Sequence, residues 1–271
     1  MTAGFIDTLA RGAASEITEQ LRYRELLYQM TVRDLLIRYK QAVMGFAWAL
    51  IVPVTQTLVF SVIFTRVAQV ETEIPYPLYA LSGLLPWTFF ASSLRFSLTS
   101  LTSNSALVSK VYFPREIFPV SAVLVSLVDL AVASTVLAGL MIYYGIPPSG
   151  AIWLLPLVLA VHVTFTLGLA LVLSMANLFY RDVKYMIDLV LLFWMFATSV
   201  VYPVERIGGR LAQVLALNPM TPIIEGYRAT ILSGDNPLSA AFVVTALVAV
   251  VTLVGAWIVF HRAEARFAEV L

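Results

Sequence analysis

Cysteine is absent from the 271 residues, which excludes disulfides, thiol catalysis and Cys-ligated metals. Histidine is nearly so: His162 and His261 lie far apart in the chain. Neither shows a metal-ligand partner at helical spacing, so no metal site is expected. There is no G-x-S-x-G nucleophile motif. None of the three lysines, Lys40, Lys110 and Lys184, follows a glycine, so the chain lacks the phosphate loop that would hold ATP. No catalytic constellation is visible and no cofactor is expected on this chain. Charge is scarce too. Only 12% of residues are charged, against about 25% in soluble domains. The net charge is +1, which gives no footprint for a polyanion, so nucleic acid is not an expected partner.

What the chain has is apolar length. It is 60% hydrophobic with a mean hydropathy of +0.89. Six segments fill most of it: Val43–Thr65, Leu78–Leu101, Ile117–Tyr144, Ile152–Tyr180, Tyr185–Tyr202 and Leu238–Phe260. A hydrocarbon core needs about 20 apolar helical residues, and the segments meet or approach that length. They predict an all-α polytopic membrane protein with six transmembrane helices over residues 43–260. Residues 1–42 precede them and 261–271 follow. The first 42 residues hold Asp7, Glu16, Glu19, Glu25 and Asp34 and lack the apolar core of a cleavable signal peptide.

The breaks between segments alternate in charge. One side receives twelve cations, including Arg33, Arg38, Lys40, Lys110, Arg115, Arg181, Lys184, Arg262 and Arg266. The other receives four, Arg66, Arg206, Arg210 and Arg228, while Arg95 lies within the second segment. The positive-inside rule then places both termini in the cytoplasm.

Three regions depart from plain spans and turns. Over Glu25–Lys40, a helical wheel gives one apolar stripe of Tyr28, Val32, Leu35, Leu36 and Tyr39. A narrower stripe holds Leu26, Met30 and Ile37, and Gln29, Arg33 and Lys40 form a polar edge. This predicts an amphipathic helix; it would serve either as a membrane anchor or as a contact for a protein partner. In the cytoplasmic loop 102–116, Ser103-Asn104-Ser105 offers an N-cap before a short apolar run. The segment is either a short helix or a solvated connector. Residues 203–237 are too apolar for a free loop and too interrupted, at Pro219 and Pro222, for a span. Two short re-entrant helices with a turn near Asn218-Pro219 would fit, provided they are buried in protein. A loop lying on the membrane surface is the alternative.

Asp129 and Arg95 are charges within spans, and such groups tend to mark function. Their depths differ by about 10 Å at 1.5 Å per residue, so either a stretched pair or a separate hydrogen bond from Asp129 is open. His162 reads as a hydrogen-bonded bundle residue or a proton relay. Aromatics crowd the spans: Trp48, Trp87, Phe89, Phe90, Trp153, Phe193, Trp194, Phe196 and Tyr202. Many suit an interfacial belt. Trp48 and Trp194 lie deeper, where stacking on sugar faces or simple packing are both open.

Several strings then become recognisable. Arg33-Asp34-Leu35-Leu36-Ile37-Arg38-Tyr39-Lys40-Gln41-Ala42-Val43-Met44-Gly45, followed by Trp48 and Pro53, resembles the entry motif of ABC-2 type permeases. It is most similar to those that export lipid-linked polysaccharides such as O-antigen and teichoic acid. The run from Leu107 to Pro119 resembles the first cytoplasmic loop of that family, and Asn177-Leu178-Phe179-Tyr180-Arg181-Asp182-Val183 its second. Ser199 to Pro203, Asn218-Pro219 and Tyr227-Arg228 are similar to its outer segment. The likeness runs from about residue 20 to the C-terminus.

The resemblance implies a permease of the plasma (bacterial inner) membrane that works as a homodimer with two cytoplasmic ABC ATPase subunits. ATP and Mg would be bound on those partners, and lipid-linked polysaccharide would be the cargo, with membrane lipids around it. A drug or lipid cargo, or a scaffold without transport, are the other readings. It implies coupling roles for Arg33, Asp34, Arg38, Tyr39, Lys40, Lys110, Tyr112, Phe113, Pro114, Arg115 and Glu116. With the aromatics and span charges it marks a substrate pathway of Trp48, Trp87, Phe90, Arg95, Asp129, Trp194 and Tyr202. An outer gate would use Glu205, Asn218, Pro219, Tyr227 and Arg228. Arg38 and Lys40, at the cytoplasmic entry, would attract the diphosphate of the cargo.

Overall fold

The structure, a computed structural model, describes residues 23–40, 45, 47–67, 72, 74–110, 113–202, 215 and 217–267, with backbone alone at 67, 109 and 110. Among these residues all regular structure is helical. The helices are α1 (Arg24–Lys40), α2 (Ala47–Val62, continued by a π-turn Ile63–Val67), α3 (Tyr76–Ser103), α4 (Ser105–Lys110) and α5 (Ile117–Tyr144). After a single 3-10 turn at Ile152–Leu154 come α6 (Leu155–Phe179), α7 (Val183–Phe196), α8 (Met220–Arg228, continued by a π-turn Ala229–Ser233) and α9 (Ala240–Glu264).

Local chemistry sets the ends. Proline stands at the start of α3 and of α6, where the missing N–H is not needed by the helix. Gly145 ends α5 with φ +67°, a left-handed cap that only glycine adopts without strain. Ser239 caps α9 by accepting a hydrogen bond from the Phe242 amide at 3.2 Å. The α9 helix therefore begins two residues later than the apolar segment that signals it.

Among the described residues four helical stretches are long and apolar enough to cross a membrane: Ala47–Arg66, Ile117–Tyr144, Ile152–Phe179 and Ala240–Glu264. The α3 helix, at 28 residues, is long enough at about 1.5 Å per residue but less apolar. It is the central rod of the bundle, with 20 of those residues buried. It packs most extensively on α5 and α6 and also touches α2, α7 and α8. A helix largely enclosed by other helices need not keep an apolar lipid face all round, and serines such as Ser97 and Ser100 donate within protein, to the Pro119 and Ser97 carbonyls. The α6–α9 seam is the other main contact. It is close because Gly168 lies against the α9 backbone, where a Cβ would come within 2.9 Å of the Leu253 nitrogen.

The bundle has two ends. One carries Tyr76, the α5–α6 connection and the π-turn after α8, tied where the Ser149 amide donates to the Ile231 carbonyl at 3.1 Å. The other carries α4, the loop before α5 and the end of α9. Here Phe113, Phe118, Phe179, Phe260 and Phe267 form a cluster against which Tyr23, Leu26, Leu27 and Met30 of the α1 region pack.

Two expectations change. The segment Tyr185–Tyr202 is not one helix: α7 stops at Phe196 and 197–202 form irregular turns. The α1 helix does not bury either stripe as a unit. Its inner face runs through Leu27, Met30, Asp34 and Arg38, while Tyr28 (69%), Leu36 (52%) and Ile37 (68%) are exposed. Periodicity of apolar residues misplaced that face because two of its members are charged. In 203–237, residues 203–214 and 216 lie outside the described residues, and the described part folds as α8 against α3, α6 and α9.

Candidate functional site

The end of the bundle that carries α4 is joined to α1 by polar contacts. The Ser121 hydroxyl at the start of α5 donates to Asp34 Oδ2 at 2.9 Å. Arg33 Nη2 donates to Asp34 Oδ1 at 2.7 Å and to Asn104 Oδ1 at 3.0 Å. One turn on, Arg38 and the Tyr39 hydroxyl both donate to Asp129 of α5, and the Arg38 guanidinium lies 3.6 Å over the Phe96 ring. Partial burial and the hydrogen bond to Asp129 push the Tyr39 hydroxyl up to about 12, so it stays a donor at any physiological pH. Asp129 therefore pairs with α1 and not with Arg95, whose Nε contacts Asp188 Oδ1 of α7 at 2.6 Å. This corrects the direct pairing left open by the sequence.

The loop before α5 is fastened to the end of α9. The Arg115 amide donates to Glu264 Oε1 at 3.4 Å, and the Arg115 guanidinium donates to the Glu264 carbonyl. Glu116 is buried, 3.8 Å from His261 Nε2, an ion pair when His261 is protonated. Phe113 stacks edge-on against Phe118 at 5.5 Å. Glu264 follows His261 by three residues on one helix face, a spacing that the sequence reading passed over. Glu116, His261 and Glu264 bring ligand atoms within 4.8 Å of one another. Arg115 already occupies Glu264 there, so the group reads as an ion-pair cluster and not as a metal centre.

At the other end Arg228, 5% exposed, is the hub. Its Nη1 donates to the Ser199 carbonyl at 2.6 Å and to Glu225 at 2.8 Å. Its Nη2 donates to the carbonyls of Val200 at 2.7 Å and Tyr79 at 3.3 Å, and its Nε to the Ser82 hydroxyl at 3.3 Å. The guanidinium stacks 3.7 Å from the Tyr79 ring. The pocket exists because Gly83 has no side chain: a Cβ there would overlap the Val200 carbonyl and the guanidinium. Asn218 pins the same turns. Its Nδ2 donates to the Ala197 carbonyl at 2.9 Å and the Thr198 hydroxyl at 2.7 Å. Its Oδ1 accepts from Trp194 Nε1 at 2.8 Å and from the Met220 amide at 3.1 Å. These contacts explain why α7 ends early: side chains of the α8 segment take up carbonyls that a continuing helix would bond to itself. Tyr227 packs behind them, its hydroxyl 3.3 Å from Nδ1 of the fully buried His162.

The residues marked from sequence therefore fall into groups. Arg33, Asp34, Arg38 and Tyr39 converge on α5 and its neighbourhood, with Lys40 exposed at the end of α1. Phe113, Pro114, Arg115 and Glu116 form a second group at the same end; Lys110 contributes backbone only and Tyr112 lies outside the described residues. Trp87 and Phe90 are buried in the aromatic core, where Phe90 meets Trp194 edge-on at 5.1 Å and Phe165 face-on at 6.0 Å. Trp48, 49% exposed, lines a cavity of about 280 Å³ with Arg38, Tyr39, Phe96 and Asp129. Tyr202 lies near the turn after α7, its hydroxyl donating to the Phe196 carbonyl. Asn218, Pro219, Tyr227 and Arg228 cluster at the other end, while Glu205 lies outside the described residues. Sequence reasoning missed Ser82, Gly83, Ser121, Asp188 and Glu264, partners that become visible only when helices are packed.

Comparisons with known proteins give the family of the chain. The chain is 32% identical over 256 residues to the O-antigen export system permease protein RfbA of Myxococcus xanthus, covering 93% of this chain and 98% of that protein. It is 30% identical over 249 residues to an RfbA of the same description from Klebsiella pneumoniae, covering 91% and 95%. The polysialic acid transport protein KpsM of Escherichia coli is 22% identical over 207 residues, covering 75% and 80%. The profile of the family described as ABC-2 type transporter matches residues 25–232, from α1 to the π-turn after α8, and the chain belongs to that family.

Proposed function

We propose that this chain is the membrane permease subunit of an ATP-driven exporter that moves lipid-linked polysaccharide of the O-antigen kind out of the cytoplasm. The likeness over more than nine-tenths of the chain to proteins named as O-antigen export permeases carries the reading. ATP hydrolysis belongs to a separate ATPase, because the chain has no phosphate loop of its own. The working unit is two copies of this chain with two ATPase subunits in the bacterial inner membrane. Each copy has six spans and cytoplasmic termini, as the charge asymmetry supports. In that arrangement α3 and α7 with its following turns complete the four apolar spans, and 203–237 re-enters from outside.

A glycan cannot cross hydrocarbon unsheltered, because each unpaired polar group costs several kcal/mol there. A passage between two permease copies supplies the shelter. The exposed face of α1, with Tyr28, Leu36, Ile37 and Lys40, receives the ATPase. The Asp34–Ser121 and Arg38–Asp129 links carry its movement directly into α5. The Arg115–Glu264 link carries movement of the loop into α9. The Arg228 and Asn218 contacts hold the outer mouth. Reconstituted permease with its ATPase should export a lipid-linked glycan in an ATP-dependent way, and neither subunit should do so alone. Transport of an unrelated drug or lipid with no effect on glycan export in a deletion strain would overturn the reading.

A further inference from the structure

A polar cavity of about 420 Å³ opens at the inner end between the last turn of α3 and the start of α7, within the size range of small-molecule sites. Thr99, Thr102, Ser103, Asn177, Arg181 and Lys184 line it. The Thr102 and Ser103 hydroxyls donate back to the Thr99 carbonyl at 3.0 and 2.8 Å, so the oxygens they turn outward are acceptors. Asn177 is 3% exposed and its Oδ1 has no hydrogen-bond partner. A buried acceptor left without a donor is costly, so a donor brought to it by a ligand in the cavity that Asn177 lines would be favoured. The rim is of opposite character. Arg181 is exposed and makes no ion pair or hydrogen bond among the described residues, and the Lys184 ammonium has the Tyr185 ring 4.8 Å away. Asp182, between them in sequence, is not part of the wall.

Acceptors inside and cations at the rim select a ligand with both hydroxyl donors and negative charge. A bare inorganic anion would face the inner oxygens with like polarity, and an alkyl chain would leave Asn177 unsatisfied. We propose that this cavity binds the junction between sugar and diphosphate of a lipid-linked glycan. The diphosphate lies against Arg181 and Lys184, and hydroxyls of the first sugar donate to Asn177 and the α3 hydroxyls. The proposal rests on the export reading and adds a recognition site to it. A diphosphate anchored by a lipid tail is held at the membrane edge, and the cavity opens at the end of the bundle where the charge count places that edge on the cytoplasmic side.

The test uses the permease–ATPase complex in phosphatidylcholine nanodiscs and three probes: a polyprenyl diphosphate bearing one hexose, the same diphosphate without sugar, and phosphatidylglycerol. Wild type should bind the glycosylated probe about tenfold more tightly than the bare one, the size of one good hydrogen-bonded contact. The double variant Arg181→Gln/Lys184→Gln should weaken both by about tenfold or more, as expected for charge-assisted phosphate contacts. Asn177→Leu should remove only the advantage of the sugar. Because Arg181 and Lys184 are exposed, their variants keep the test valid if the buried Asn177 substitution disturbs folding. Wild-type binding by the double variant overturns this site alone, as does binding of phosphatidylglycerol as tight as that of the glycosylated probe. Normal binding with lost ATPase assembly overturns it too, assigning the cations to the partner. A wild-type complex that binds neither diphosphate probe while exporting another cargo overturns the export reading and this site with it.

Discussion

The two ends of the bundle handle charge in opposite ways. At the end that carries α8, one buried cation, Arg228, is enclosed by three backbone carbonyls, a hydroxyl and an aromatic ring, with Glu225 beside it. At the end that carries α4, Asp34, Arg38, Arg95, Arg115 and Glu116 form separate pairs, most of them reaching solvent. A cation held by carbonyls cannot exchange partners without leaving them unsatisfied, so it fixes geometry. Pairs that reach solvent part and re-form more cheaply, since water can replace a partner. The first end is thus built to hold one arrangement and the second to tolerate movement. That is the division expected if force enters from the cytoplasm and the outer mouth must resist until it arrives.

The largest effect should come from Arg228→Met. It leaves the carbonyls of Ser199 and Val200 without their donor, at a cost of about 3 kcal/mol or more. Thermal unfolding in detergent should show a clear loss of stability, with export lost as well. Unchanged stability would erase the contrast between the two ends. Gly83→Val should come close, because a side chain there displaces the guanidinium and the Val200 carbonyl; measured beside Arg228→Met, the double variant should be far from additive.

Asp129→Leu should rank next. It strips Arg38 and Tyr39 of a shared acceptor in a partly buried site, costing about 1–3 kcal/mol. Its distinctive signature should be ATPase activity that no longer depends on substrate, with the complex still assembled. Dissociation of the ATPase would instead place Arg38 in the docking surface itself. Charge reversal at Arg33 sharpens the same point: it should loosen α1 from Asn104 before it affects any partner.

Labelling separates the ends without perturbing them, since there is no native cysteine to remove. Single cysteines at Leu217 and Asp235 should react with an impermeant thiol reagent from outside, and one at Ile223, fully buried, should not. Cysteines at Tyr28 and Ile37 should react only from the cytoplasm. Outside labelling at Ile37 would break the assigned orientation. The smallest effect belongs to Asp188→Asn. Its pair with Arg95 is exposed on both sides, so stability should change by about 1 kcal/mol at most. A larger loss would show that the pair is enclosed in the assembled transporter.

Much of the fold was legible in the linear sequence. Long apolar runs, prolines at helix starts and Gly145 at a helix end are local signals, each sufficient within a few residues. The helix before the first apolar span, the short helix α4 before α5 and the break near Asn218 were legible in the same way. The inner face of α1 was not, because Asp34 and Arg38 look like solvent residues until Ser121 and Asp129 are brought opposite them. Nor was the early end of α7, which depends on Asn218 and Arg228, some 20 to 30 residues further on.

By itself the sequence determined the solvent, the helical class and the family, since membrane helices satisfy their backbone internally and are written as local composition. Only the tertiary structure decided the partners of the charges. Arg95 faces Asp188, Asp129 faces Arg38, and Arg228 fills the space that Gly83 leaves open. A charge in or beside a membrane must take whichever partner lies at its own depth, and depth is shared between helices far apart in the chain.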